Sequence, residues 1–145
     1  MIAIGYLLDT VFISEFVKDT PDPNVVAWAR ANDESLSYIS VVTLGEIQKG
    51  ISKLRDSKRK RTLQSWLTQD LARRFEGRIL SVNSIEALTW GVLQGEGMRD
   101  GAMLPIADSL IAATASVHNL TVVTRNVRDM QRCGVSVLNP WQPTM

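Results

Sequence analysis

Three acidic residues stand where a carboxylate could take part in a reaction: Asp9, Glu46 and Asp108. Asp9 directly follows the apolar run of residues 4–8, which is typical of a strand buried on both faces. Functional crevices of open α/β sheets lie beyond the carboxyl ends of the strands, so Asp9 should stand at that edge. The alternative, that Asp9 or Thr10 only caps the next helix, is equally compatible with this pattern.

Asp108 lies in the first turn of a helix predicted to open at Pro105 and to run to about residue 118. The helix dipole alone would favour an acidic residue there. The residues on its face, however, are Ile111, Ala112 and Ala115, which indicates that this face packs inward. An inward carboxylate costs free energy unless something compensates it, and a divalent cation would do so. We therefore favour a functional role for Asp108.

Glu46 lies on the helix predicted over residues 41–54, and an exposed ion pair with Lys49 would also explain it.

The stretch TRNVRDM follows the predicted strand LTVVT and is a further candidate region. Asn126 and Asp129 could help to hold a cation there, and Arg125 and Arg128 could bind phosphate. A capped helical turn with a solvated charged face explains the stretch equally well.

The chemistry of these residues points to hard cations. Oxygen ligands without histidine or cysteine suit Mg²⁺ or Mn²⁺, and two such ions can activate water and stabilise the leaving oxygen in phosphodiester hydrolysis. Metal-free ribonucleases usually need two groups that titrate near neutral pH, and the chain has one histidine. His118 is predicted at a helix end, where a structural role is favoured. No P-loop, GxGxxG or GxSxG motif is present.

The elements that position these residues alternate between strands and helices, which predicts an α/β fold with a mainly parallel sheet. The glycine-rich stretch QGEGMRDGAMLP is interpreted as a surface loop or frayed helix end. Further strands are predicted at SLSYIS, RILSV, LTVVT and VSVL. Helices are predicted at VFISEFVK, at NVVAWARAN after Pro23, over residues 41–54, over residues 57–75, over residues 84–93 and over residues 105–118.

Length and composition predict a single domain over residues 1–145 with one hydrophobic core. The net charge of +1 means that any attraction to nucleic acid must come from local patches. One cysteine, Cys133, and one histidine exclude an intramolecular disulfide and a structural zinc site. We expect no signal peptide and no membrane span, and hence a cytoplasmic protein.

Two sets of side chains could meet a partner. The strongest basic cluster could bind RNA phosphates, although a solvated surface is the commoner explanation. This cluster comprises Lys53, Arg55, Lys58, Arg59, Lys60 and Arg61. Among the tryptophans, Trp28, Trp66 and Trp90 are predicted to be core residues. Trp141 could cover the C-terminal tail or meet a partner.

Four segments in this order make the chain resemble the PIN-domain ribonucleases: YLLDTVFISE, SVVTLGEIQKGI, IADSLIAATASVHNLTVVTRNVRDM and LNPW. The likeness is greatest to the toxin of bacterial VapBC-type toxin–antitoxin pairs, and it spans almost the whole chain. It implies a three-layer α/β/α domain, RNA cleavage that depends on Mg²⁺ or Mn²⁺, a homodimer, and inhibition by a small antitoxin protein.

The resemblance also implies roles for individual residues. Asp9 matches the aspartate of the first strand, Glu46 the glutamate of the central helix, and Asp108 the aspartate that opens the later helix. Asp129 is the carboxylate available at the variable fourth acidic position. On this reading Asp9 and Asp108 bind the essential cation and Glu46 orients metal or water. Thr10 and Asn126 have supporting roles.

Two alternatives remain open from the sequence. Many relatives have asparagine where this chain has Val11, which alters hydrogen bonding around the first aspartate and leaves room for a non-catalytic module that binds RNA or protein. A phosphoacceptor receiver domain would also place an aspartate at a strand end. That class needs paired early acids and a lysine at a late strand end, where this chain has Asp9 alone and Arg125.

Overall fold

A five-stranded sheet forms the centre of the computed structural model, which describes residues 4–142. The strand order is β3-β2-β1-β4-β5, and every neighbouring pair is parallel. This confirms the predicted α/β class and parallel sheet. The strands are β1 (Gly5–Leu8), β2 (Ser37–Ser40), β3 (Ile79–Leu80), β4 (Leu120–Val123) and β5 (Val137–Leu138).

Helices cover both faces of the sheet. Successive side chains of β1 point in opposite directions, so this strand contributes to a buried cluster on each face. Leu8 belongs to one buried cluster, together with residues of the helices that follow β1 and β2. Leu7 belongs to a second buried cluster, together with Ile111 and Met130 from the two helices near the C-terminus. The result is the three-layer α/β/α arrangement that the resemblance implied.

The predicted helices are present in their order, and one more helix begins within the stretch TRNVRDM, where a helical turn was one of two interpretations. The helices are α1 (Thr10–Glu15), α2 (Pro23–Ala31), α3 (Val41–Ser52), α4 (Lys58–Ser65), α5 (Ala72–Arg74), α6 (Ser84–Arg99), α7 (Ile106–His118) and α8 (Val127–Arg132). A 3₁₀ turn, Glu34–Leu36, precedes β2. Within residues 4–142, no helix combines the length and apolar character that crossing a bilayer requires.

Helix α6 is longer than its sequence pattern indicates. It continues to Arg99, so the predicted end at residue 93 is wrong. The first half of the stretch QGEGMRDGAMLP, interpreted as a surface loop or frayed helix end, is helical. Gly97 is buried, and a Cβ atom on it would lie 2.7 Å from the carbonyl oxygen of Ala102 and 3.3 Å from Leu104 Cγ. This glycine therefore permits the returning chain to approach the helix closely, rather than ending the helix.

The helix predicted over residues 57–75 is interrupted by a π-helical segment, Trp66–Leu71, between α4 and α5. Leu67 and Leu71 are buried in the first cluster, and Leu63 and Trp66 pack against it. The predicted apolar stripe is thus confirmed. The π-helical segment within it was not predicted, because no glycine or proline marks this part of the sequence.

Ser109 ties the start of α7 to α6. Its buried hydroxyl accepts hydrogen bonds from Trp90 Nε1 at 3.0 Å and Gln94 Nε2 at 2.8 Å, and donates to the carbonyl oxygen of Pro105 at 2.7 Å. Trp90 is half-buried, and its indole N–H is used in this network. The network therefore holds the turn that carries Asp108.

Replacing Ser109 by alanine should lower the free energy of unfolding by about 1–3 kcal/mol, because two donors lose their acceptor inside the protein. Urea unfolding followed by circular dichroism measures this change. Ser116→Ala is the matched control, since Ser116 is exposed on the same helix. Equal stability of the Ser109→Ala and Ser116→Ala proteins would contradict the role given to the network.

Candidate active site

The site lies where the order of strands reverses. β1 and β4 are neighbours in the sheet, although β2 and β3 lie between them in the sequence. Leu8 is in register with Val123, and the backbone N–H of Asp9 donates to the carbonyl oxygen of Val123 at 3.0 Å. Asp9 and Thr124 therefore leave the sheet side by side, at the kind of switch point where α/β proteins bind ligands.

Asp9 directly follows β1 and caps α1, so it lies at the predicted edge of the sheet and is also a helix cap. Its side chain is buried, with Oδ1 accepting from the N–H of Thr10 at 2.8 Å and Oδ2 from Thr124 Oγ1 at 2.6 Å. Desolvation raises the pKa of Asp9 and outweighs these two hydrogen bonds; the charge of Glu46 raises it further. Both carboxylate oxygens thus have donors that do not involve Val11.

Glu46 faces this site from α3. Thr10 Oγ1 donates to Glu46 Oε1 at 2.5 Å and lies 3.1 Å from Thr43 Oγ1. Because a threonine hydroxyl has a single proton, Thr10 donates to Glu46 and accepts from Thr43. Among the described residues Glu46 forms no ion pair with Lys49, so the exposed-pair explanation is wrong.

Asp108 approaches the same point from the first turn of α7, and its pKa is raised to about 6. Desolvation is the largest cause, followed by the negative charges of Asp9, Asp129 and Glu46. Ile111, Ala112 and Ala115 on its face are fully buried, which confirms that this face packs inward. The structure thus places the four carboxylates that the sequence analysis selected near enough for the other three to act on the pKa of Asp108.

The stretch after β4 forms the edge of the site. The backbone N–H of Asn126 donates to Thr124 Oγ1 at 3.0 Å, and the residue itself is exposed. Asp129 is half-buried, and its Oδ1 lies 3.7 Å from Arg132 Nη1. Its negative charge therefore interacts with that arginine as well as with Asp108. Arg125 and Arg128 are exposed.

Two threonines of the site were not selected from the sequence. Thr124 ends the strand LTVVT as Asp9 ends β1, so the argument from strand ends would have identified it. Thr43 precedes Glu46 by three residues and therefore shares its helix face. Both side chains are fully buried.

The donor set fits a hard divalent cation. Burial and mutual repulsion destabilise the charged carboxylates, and a cation would relieve both effects. Within residues 4–142 no three acidic, histidine or cysteine side chains are already gathered around a point that could hold an ion. What supports a metal site is therefore the electrostatics of the cluster rather than a finished coordination shell.

His118 lies at the opposite end of α7 from Asp108, as predicted. Its Nε2 is 3.6 Å from Oε2 of Glu86, a buried carboxylate whose other oxygen accepts from the N–H of Asn83 at 2.7 Å. The histidine thus joins the end of α7 to the start of α6, away from the acidic cluster.

The chain belongs to the PIN domain family, whose model matches residues 6–134. Among the proteins that it resembles is Toxin FitB of Neisseria gonorrhoeae, 36% identical over 135 residues, which are 93% of this chain and 97% of that protein. VapC ribonuclease Y4jK of Sinorhizobium fredii is 31% identical over 137 residues, 94% of this chain and 98% of that protein.

The solved structures include FitAB bound to the IR36 DNA fragment, with a TM-score of 0.89 and 33% identity, covering 97% of this chain and 98% of that one. Family and fold agree with the resemblance drawn from the sequence. Membership of the PIN domain family excludes the receiver-domain alternative.

Proposed function

We propose that this protein is a metal-dependent endoribonuclease that acts as the toxin of a toxin–antitoxin pair. The observation that carries the proposal is the convergence of Asp9, Glu46, Asp108 and Asp129 at the switch point of the sheet, where desolvation and mutual repulsion raise the pKa of Asp108 to about 6. The names of the relatives, a toxin and a VapC ribonuclease, support the same function.

In this proposal Asp9 and Asp108 hold the cation, which is Mg²⁺ or Mn²⁺ because the donors are hard oxygens. When bound, the cation supplies Lewis-acid activation for phosphodiester hydrolysis. Asp129 and Asn126 support the site from the start of α8. The hydrogen bonds of Asp9 to Thr10 and Thr124 fix the direction of its carboxylate, as partners of a metal ligand commonly do.

Glu46 orients the cation or the attacking water. The short hydrogen bond from Thr10 holds its Oε1, and Oε2 remains available to the site. The side chain is half-buried, so its orientation is restricted by packing as well as by this bond. Such restriction is what a group that positions a reactant requires.

A groove beside the acidic cluster offers a path for RNA. Thr10 and Glu46 line one end of it, with Val17, Leu63 and Trp66 in the same wall. Those last three residues also line an adjoining groove of about 850 Å³. Its wall includes Lys58, Arg59 and Arg61 of the basic cluster. Cations placed along such a path would bind phosphates in a salt-sensitive manner.

The protein partners that we propose follow from the similarity to toxins of toxin–antitoxin pairs. A small antitoxin protein would inhibit the enzyme, and the FitAB structure supports assembly with a second kind of chain and with DNA. We also propose a homodimer and action in the cytoplasm, where RNA is available and the single buried thiol of Cys133 stays reduced.

The purified chain, free of any partner, should cleave a mixed RNA pool in Mg²⁺ or Mn²⁺ and not in EDTA, with activity restored by excess metal. Gel electrophoresis of the RNA measures cleavage, and circular dichroism verifies the fold under each condition. Metal-independent RNA binding by the folded protein, with no cleavage in any condition, would instead support the non-catalytic module.

A further inference from the structure

The tryptophan near the C-terminus packs against α1, the helix that Asp9 caps. The ring of Trp141 stands edge-to-face with that of Phe12, with 6.3 Å between the centroids. Its backbone N–H donates to Asn139 Oδ1 at 3.0 Å, and its carbonyl oxygen accepts from Asn24 Nδ2 at 3.2 Å. The backbone and ring of Trp141 are therefore held from α1, α2 and the preceding turn.

A buried carboxylate lies close to the ring. Glu15 on α1 accepts from Lys18 Nζ at 2.9 Å and from the backbone N–H of Asp22 at 2.8 Å, and the side chain of Trp141 is near enough to help lower the pKa of Glu15. Desolvation acts to raise the pKa of Glu15, but these hydrogen bonds and the charge of Lys18 outweigh it, so that the pKa is lowered. Glu15 thus remains charged beside the Trp141 side chain.

The outer face of this ring carries Arg125. The guanidinium carbon lies 5.1 Å from the centroid of the Trp141 ring, within the range of a cation–π interaction. Arg125 directly follows Thr124, whose hydroxyl donates to Asp9, so the backbone that carries this cation runs beside the acidic cluster. A guanidinium directs its N–H donors outward in its own plane, so contact with a ring leaves donors for another ligand.

Arg125 contacts the Trp141 ring and is not paired with a carboxylate of the described residues. Arg125 forms no ion pair with any of residues 4–142. The charges that shift the pKa values of Asp9 and Asp108 are all negative, which means that no arginine neutralises these two carboxylates.

We propose that Trp141 is a positioning residue for RNA binding: its ring holds Arg125 at the rim of the acidic cluster, where the guanidinium binds a phosphate of the substrate. This inference rests on the proposed function. It assigns to Trp141 a role that depends on the charge of Arg125, and a ring that merely completes the core would have no such dependence.

A double-mutant cycle separates these two roles. Trp141→Leu, Arg125→Ala and the double variant are compared in steady-state cleavage of a fluorescent RNA pool, with Trp141→Phe as the conservative variant. Arg30→Ala controls for loss of one exposed arginine, since Arg30 lies at the opposite end of α2 from Asn24. RNA binding is measured against salt concentration with the same substitutions placed in an Asp108→Asn protein.

We expect Arg125→Ala to raise the apparent KM about tenfold and Trp141→Leu about threefold, with kcat changed less than about twofold. The double variant should resemble Arg125→Ala, and Trp141→Phe should restore most of the affinity. The slope of log binding constant against log salt should fall by about 0.7 in Arg125→Ala, as for one lost phosphate contact on single-stranded RNA.

Two results would overturn the inference while the wild type still cleaves RNA. One is a Trp141→Leu effect of equal size with and without Arg125. The other is a Trp141→Leu protein that is less stable but has an unchanged KM. A folded wild type that cleaves no RNA with either metal would instead contradict the proposed function itself, and with it the substrate on which this inference depends.

Discussion

Asp108→Asn should lower metal-dependent RNA cleavage at least about 10³-fold, which corresponds to about 4 kcal/mol of lost transition-state stabilisation. The substitution keeps the shape of the side chain and removes the charge that holds the cation. In EDTA the same protein should be at least as stable as the wild type, because the substitution also removes a half-buried charge repelled by Asp9, Asp129 and Glu46. Activity and stability should therefore change in different directions.

Cleavage of the RNA pool in Mg²⁺ and Mn²⁺, together with thermal unfolding in EDTA, measures the two effects in one preparation. Asp100→Asn is the matched control, since it makes the same chemical change at an exposed carboxylate at the end of α6. Full activity in a folded Asp108→Asn protein would remove Asp108 from the site. A marked loss of stability in EDTA would show that the carboxylate serves the fold.

The sequence could identify Asp9 and Asp108 because each has a local signal. Asp9 ends an apolar strand, and Asp108 lies above the apolar face formed by Ile111 and Ala112. Glu46 has no such signal, since its meaning depends on Thr10, a residue 36 positions earlier that contacts it only after folding. Its selection rested on the family resemblance.

The alternation of strands and helices predicted a parallel sheet, but not the order of its strands. That order decides that β1 and β4 are neighbours, and therefore that Asp9 meets Thr124. Local composition was misleading at Gly97, where a glycine that indicated a loop instead permits a close approach to the backbone of residue 102. In both cases the missing information was a contact between distant parts of the chain.

The contacts of Trp141 also could not be predicted from the sequence. Its sequence context, NPW near the C-terminus, left open whether it covers the tail or meets a partner. The structure places it against Phe12 and beneath Arg125, which are 129 and 16 residues away in the sequence. A single aromatic side chain in a short terminal segment gives no periodic pattern from which such neighbours could be inferred.

Divalent cations should raise the thermal stability of this protein, and the rise should be larger at pH 7.5 than at pH 5. The ordinary pKa of an aspartate is 3.8, whereas that of Asp108 in the folded protein is about 6. Between these values the metal-free folded state binds protons more tightly than the unfolded chain, so stability falls as the pH rises and the full penalty applies above pH 6. The raised pKa of Asp9 acts in the same direction.

A bound cation removes this penalty, because it replaces the proton as the partner of the carboxylates. At a metal concentration of about 100 times the dissociation constant, the added stability is about 2.7 kcal/mol, or a rise in the unfolding temperature of roughly 5–10 °C for a chain of this size. At pH 5 protons occupy the acidic cluster and compete with the metal, so the rise should be much smaller.

Thermal unfolding followed by circular dichroism, at pH 5 and pH 7.5 in EDTA, MgCl₂ or MnCl₂, measures this linkage without any RNA. Asp108→Asn should lose most of the metal response and most of the decline in metal-free stability between pH 4 and pH 6, whereas Asp100→Asn should keep both. An equal metal response at the two pH values, or an unchanged one in Asp108→Asn, would mean that cations bind elsewhere on the protein. Because the experiment depends on the acidic cluster alone, it tests the metal site separately from the choice of RNA substrate.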